Sequence, residues 1–148
     1  GLAWQEAGEP KKAVSYYEEH LQQEPEDHQA RFNLAVCYMD DRPEDSLALL
    51  QSLPIEARQE LSVIILMGRL FLRLNRPELA VEVLEKGPVR TRRMDESVLA
   101  FRYYLGLAYK RTGQKRKALT QLRKVYAENI KFMDVAKELE ELEDGNGE

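Results

Sequence analysis

The stretch RPEDSLALLQSLP at 42–54 comes back 34 residues later as RPELAVEVLEKGP at 76–88. A period of this length constrains the fold more than any other feature of the chain, because each copy must be one supersecondary unit that buries its apolar face against its neighbours. The rest of the sequence keeps the period. Small residues stand at Gly1, Ala35, Gly68 and Gly106, each followed three positions on by an aromatic: Trp4, Tyr38, Phe71 and Tyr109. A second small set, Ala13, Ser46, Ala80 and Ala118, follows the first by 11 or 12 residues, and four positions beyond it lie Tyr17, Leu50, Leu84 and Leu122. Spacings of three and four place such residues on one helical face, and two helices that meet at small residues bring their backbones close.

Turn formers separate the apolar runs: AGEPKKA at 7–13, DDRPEDS at 40–46, LNRPELA at 74–80 and RTGQKRKA at 111–118. Proline in the first turn of the following helix costs little, since its missing amide hydrogen has no intrahelical acceptor there. Each unit therefore reads as a helical hairpin with a short turn. The small residues are 34 and then 33 apart, but 38 separate Gly68 from Gly106. The extra residues fall in GPVRTRRMDES at 87–97, where Gly87 and Pro88 end one helix, Asp95 or Ser97 caps the next, and a projecting basic loop is expected between them. Downstream, Phe132, Val135, Ala136, Leu139 and Leu142 form the apolar stripe of a closing helix with Asp134 near its start as N-cap. A stack of repeats needs such a polar-backed terminal helix.

These residues resemble the tetratricopeptide repeat (TPR) family. Gly1, Trp4, Gly8, Ala13, Tyr17 and Pro25 match its pattern of glycine, aromatic, glycine, alanine, aromatic and proline, and Leu105, Gly106, Tyr109, Gly113 and Ala118 match it again. The two middle copies are degenerate, with Ala35 and Ser46 for glycine and alanine, Asn75 at a turn-glycine position, and one residue deleted in the second turn. The resemblance implies an all-α, right-handed superhelical stack of about four hairpins, the first truncated, plus a capping helix. The expected layout is a single solenoid domain over 1–148, with repeats about 1–27, 28–60, 61–94 and 95–130 and a cap about 132–143. Gly1 then falls inside a first helix whose opening turns are missing, so Val14, Tyr17 and Leu21 are expected to be partly exposed. They would be covered by the remainder of a longer parent chain or by a second copy in a homo-oligomer.

The chain is 43% apolar, enough for a continuous core, and its net charge of −4 conceals strong polarity. Residues 1–60 hold 5 Lys/Arg against 13 Asp/Glu, residues 61–133 hold 16 against 6, and residues 134–148 hold 1 against 7. Different faces are therefore expected to meet different partners. Cys37 is the only cysteine and sits at an apolar helical position, which excludes an internal disulfide, reads as a small hydrophobe and leans toward a reducing, cytoplasmic setting. No signal-peptide pattern and no run of 18 apolar residues occurs, so no membrane insertion is expected; VIILMGRLFL is too short and contains Arg69. His20 and His28 make no zinc pattern, and Walker, GxGxxG, GxSxG and HExxH motifs are missing. No metal, no cofactor and no catalysis are expected.

In the resembled family the first helix of each hairpin lines the concave side, with groove-facing residues four before, one after and four or five after the small residue, together with their close neighbours. Here those positions are Asn33, Val36, Met39 and Asp40; Leu66, Arg69, Leu72 and Arg73; and Tyr103, Tyr104, Leu107, Lys110 and Arg111. Apolar anchors interleaved with four cations suit a protein or peptide partner bearing apolar and acidic residues, held in the groove of the third and fourth units. The carboxylate clamp that some TPR proteins use for acidic chaperone tails is not expected, because Asn33 matches it but Leu2, Ser62 and Leu66 do not. Two other readings compete with a noncatalytic interaction scaffold. Nucleic acid could engage RTRR at 90–93 and KRTGQKRK at 110–117 within the basic stretch 90–124, although the acidic ends disfavour it. Self-stacking through the exposed first hairpin is the other.

Overall fold

Local capping chemistry sets where the helices begin. In a computed structural model, which describes residues 10–144, Asp27 accepts the Ala30 amide at 3.0 Å and Asp95 accepts the Val98 amide at 3.0 Å, each satisfying one of the free donors of a first turn. Pro10, Pro43 and Pro77 open three further helices, where proline needs no amide partner. The elements are α1 (Pro10–Gln23), α2 (His28–Tyr38), α3 (Pro43–Gln51), α4 (Ile55–Arg58), α5 (Leu61–Arg73), α6 (Pro77–Leu84), α7 (Glu96–Arg111), α8 (Lys115–Glu128) and α9 (Val135–Asp144). Among the described residues there is no strand, and no helix is long and apolar enough to cross a membrane. The all-α stack of hairpins expected from the period is what the chain forms; Gly1, Trp4 and Gly8, which carried part of that expectation, lie outside the described residues.

Two turns show the same hydrogen-bond geometry despite different residues. After α7, Gly113 takes a left-handed φ of 77° while the Gln114 amide donates to the Tyr109 carbonyl at 2.8 Å. After α5, Asn75 takes φ 61° and the Arg76 amide donates to the Phe71 carbonyl at 2.7 Å. Asparagine is one of the few side chains that tolerates this region, so it replaces glycine without loss of the turn. The second turn is one residue shorter and closes instead with the Arg42 amide on the Tyr38 carbonyl at 2.7 Å. A deletion there is absorbed because no left-handed residue is required.

Each hairpin packs on the next, α2 on α3, α3 on α5, α5 on α6, α6 on α7 and α7 on α8, with α9 against both α7 and α8. The core is accordingly a row of three apolar clusters, around Ala30 and Leu34, around Leu50 and Leu70, and around Leu84, Leu105 and Leu122. The small residues lie at the helix contacts: a Cβ at Gly68 would fall 2.5 Å from Leu84 Cγ, and one at Gly106 would fall 2.7 Å from Leu122 Cγ. Ser46, at the degenerate small position, donates its hydroxyl to the Ala35 carbonyl at 2.6 Å, so the polar atom is satisfied while fully buried. Tyr17, expected to be partly exposed, is buried by Ala30, Leu34 and Tyr38 of α2, whereas Val14 and Leu21 are half-buried. The closing helix starts at Val135 and buries Val135, Leu139 and Leu142; Ala136, placed on the same stripe by periodicity, is exposed.

The basic insertion between α6 and α7 does not project freely. Arg102, 1% exposed, crosses from α7 to donate to the Val89 carbonyl at 3.1 Å, the Thr91 carbonyl at 2.6 Å and Gln121 Oε1 at 2.8 Å. Its guanidinium replaces the backbone partners that an irregular segment otherwise lacks, and Gly87 lets Phe101 approach to where its own Cβ would sit, 2.4 Å from Cε1. Burial lowers the Arg102 pKa from its ordinary value without a counter-charge, the guanidinium being held by neutral oxygens.

Two outcomes are expected on unfolding in urea. Gly106→Ala destabilises by about 1–3 kcal/mol because Leu122 is fully enclosed and cannot retreat, overriding the gain in helix propensity. Arg102→Met costs roughly 2–4 kcal/mol as three hydrogen bonds are lost, and amide exchange in 88–94 accelerates while α2 and α3 are unaffected.

Candidate binding groove

The stacking pattern opens a groove. Helix α5 packs directly on α7, whereas α2 and α5 are joined mainly through α3, and the space between α2 and α5 forms a cavity of about 500 Å³ rimmed by the first turn of α7. Its apolar lining comes from Phe32, Val36 and Met39 of α2 and Ile65 and Leu66 of α5; Asp40, Ser62, Arg69, Glu96 and Ser97 supply polar groups. On α5 the lining residues Ser62, Ile65, Leu66 and Arg69 are spaced three and four apart, so they form one stripe. Five of the residues singled out from the sequence, Val36, Met39, Asp40, Leu66 and Arg69, are brought together here. The cavity thus lies between the second and third units, one unit nearer the front than the sequence suggested.

The remaining positions have other occupations. Leu72 and Tyr103 are buried core residues, so neither lines the cavity; Tyr103 packs edge-on to Tyr104 at 5.3 Å and to Phe132 at 6.1 Å. Burial first, then the nearby Glu138 carboxylate, pushes the Tyr103 hydroxyl up to about 12. Leu107 is half-buried against the same core. Asn33 Oδ1 accepts from Gln29 Nε2 at 3.1 Å. Tyr104 is half-buried, with the Arg69 guanidinium 5.1 Å from its ring centre.

Three of the four cations expected to greet an acidic partner are engaged within the chain. Arg73, the last residue of α5, donates to the Asp40 carbonyl at 2.9 Å just beyond α2. Arg111, at the same place on α7, donates to the Leu72 carbonyl at 2.9 Å and to Asn75 Oδ1 at 2.7 Å. Helix ends leave carbonyls without intrahelical donors and carry partial negative charge, so an arginine from the next unit satisfies both needs at once. Lys110 bridges Glu138, at 2.6 Å, and Glu141 of α9, which draws the acidic tail onto the basic fourth unit; Arg123 adds a pair to Glu143 at 3.2 Å. Among the described residues, Arg69 makes no hydrogen bond or ion pair, which leaves it as the groove's available cation. Sequence spacing missed Phe32, Ile65, Ser62, Glu96, Ser97 and Ala100, of which Phe32 and Ile65 carried the helical apolar spacing that could have found them.

A tetratricopeptide repeat family model matches residues 5–64, and a second model of the same family matches 100–129. The chain belongs to the tetratricopeptide repeat family. Its stretch 65–99, with Asn75 for glycine and the lengthened connection before α7, lies outside both matched segments. Among solved structures, a crystal structure of MamA superposes with a TM-score of 0.80 at 18% identity, covering 98% of this chain and 83% of that one. A MamA fragment from Desulfovibrio magneticus RS-1 gives 0.78 at 17% identity, over 95% and 78%. A thermophilic TPR protein of Thermus thermophilus gives 0.70 at 16%, over 94% and 75%. No curated protein matches the sequence. At identities this low the likeness shows the shared solenoid fold alone. It is membership of the TPR family that supports a protein–protein interaction scaffold, and such scaffolds are typically noncatalytic.

The α9 ion pairs make a pH prediction with a definite sign. Burial draws Lys110 down, but the bonds it donates to Glu138 and Glu141 carry it above the ordinary lysine value, and Lys110 holds Glu141 below the ordinary carboxylate value. The contribution of Glu141 is complete above the normal carboxylate range and is lost as pH falls through it; that of Lys110 is lost only as pH rises past the lysine range. Glu138→Gln with Glu141→Gln therefore lowers Tm slightly at neutral pH, and the difference from wild type vanishes in acid.

Proposed function

We propose that this chain is a noncatalytic interaction module that holds a segment of a partner protein in the groove between α2 and α5. The observation that supports it is the cavity of about 500 Å³, in which Val36, Met39, Phe32 and Ile65 present apolar surface around Arg69. Val36, in the last turn of α2, is 37% exposed, and Arg69 is held over Tyr104 with no hydrogen bond or ion pair among the described residues. Such a set suits a peptide with apolar side chains and one well-placed carboxylate, which Arg69 would grip through paired hydrogen bonds. Asp40 and Glu96 on the rim oppose a densely acidic partner, so the segment sought is apolar with a single acid rather than a polyanion. The single cysteine and the lack of a membrane-length helix among the described residues accord with a cytoplasmic setting.

The test compares partner capture by the unaltered chain, by Val36→Asp with Arg69→Glu, and by Arg116→Glu on the exposed side of α8. Both groove positions reach solvent, so circular dichroism is expected to stay unchanged. Hot-spot losses of roughly 2 kcal/mol or more predict at least a tenfold drop in bound partner for the groove variant and none for Arg116→Glu. Undiminished capture by the groove variant would count against the reading.

A further inference from the structure

A second cavity, of about 340 Å³, lies where α4 folds against α5 and α6. Its floor is Ile64 and Met67 of α5, its wall is Val83 of α6, and its lip is Ile55, 62% exposed and more so than any other large apolar side chain described. Arg58 and Lys86 stand at its edge. Among the described residues neither enters an ion pair, and the Arg58 Nε is buried with no hydrogen-bond partner, as is the Arg102 Nε in the core beneath the basic loop.

We propose that this cavity is a recognition site, separate from the α2–α5 groove, for a polypeptide segment carrying a large apolar side chain next to a carboxylate. The apolar floor takes the side chain, and the carboxylate pairs with the two cations at the edge, the Arg58 guanidinium and the Lys86 ammonium. Size and openness favour a side chain over a free lipid: the volume is at the lower end of ligand pockets, roughly 300–1,000 Å³, and the Ile55 lip leaves one side open to solvent. Because Ile64 and Met67 lie on a different stripe of α5 from Ile65, Leu66 and Arg69, the two cavities can be occupied, and can fail, independently.

The experiment is a methyl-resonance NMR titration of the whole chain with two capped dipeptides, N-acetyl-Leu-Glu-amide and N-acetyl-Leu-Gln-amide, which differ only in the carboxylate. The expected result is that the Glu probe shifts Ile55, Ile64, Met67 and Val83 at millimolar concentration, with an affinity about fivefold or more above that of the Gln probe. Arg58→Gln is expected to abolish that preference while leaving the methyls of Val125 and Leu139 in place. Equal binding of both probes to the unaltered protein would overturn the proposal, as would shifts confined to Val36 and Met39 of the groove. Octanoate binding more tightly than the Glu probe would also overturn it, by making the occupant a fatty acid. A loss of groove capture by Val36→Asp with Arg69→Glu would leave this titration unaltered, so the two readings are separable.

Discussion

The close approach of paired helices governs this structure. Where Gly68 faces Leu84 and Gly106 faces Leu122, not even one methyl group fits between the backbone of one helix and the leucine of the other. That distance fixes how deeply each hairpin nests, and so where the next hairpin can sit. In the second unit the same contact is made by Ala35 and Ser46, and the serine hydroxyl closes the gap by donating to the Ala35 carbonyl. Nesting is thus kept by different chemistry at equivalent positions, which explains how two degenerate copies stack in register with two regular ones.

A second constraint concerns the ends of the helices. At the ends of α2 and α5 the carbonyls keep acceptor capacity beyond the turn bonds of their own hairpin, and the following unit answers with an arginine at the same place, Arg73 toward Asp40 and Arg111 toward Leu72 and Asn75. Asn75 serves twice, tolerating the left-handed turn and accepting from Arg111. Charge along the chain has the same origin. The acidic tail is the counterpart of the basic fourth unit, joined through Lys110 with Glu138 and Glu141 and through Arg123 with Glu143. Of the cations that this internal pairing leaves over among the described residues, Arg69 lines one cavity and Arg58 and Lys86 line the other.

Much of the fold was legible in the order of residues. Helical hairpins, their joints at Pro43 and Pro77, the cap at Asp95 and the turn role of Asn75 all follow from local conformational preference and from apolar residues recurring every three or four positions. These are properties of a few consecutive residues, so a linear reading reaches them. The loop at 88–94 escaped it, because Arg102 lies a dozen positions downstream and nothing in RTRR announces a buried guanidinium from the next helix. The candidate site was half legible: spacing selected Val36, Met39, Leu66 and Arg69 but also Leu72 and Tyr103, which the neighbouring unit buries.

The sequence by itself determined the repeating unit, the helical class and the places where backbones meet, since period, small residues and caps act within one hairpin or between its two helices. Only the tertiary structure decided which side chains face solvent and which charges remain unpaired. Those outcomes depend on how far one hairpin is offset from the next, and that offset has no counterpart in the spacing of any single repeat.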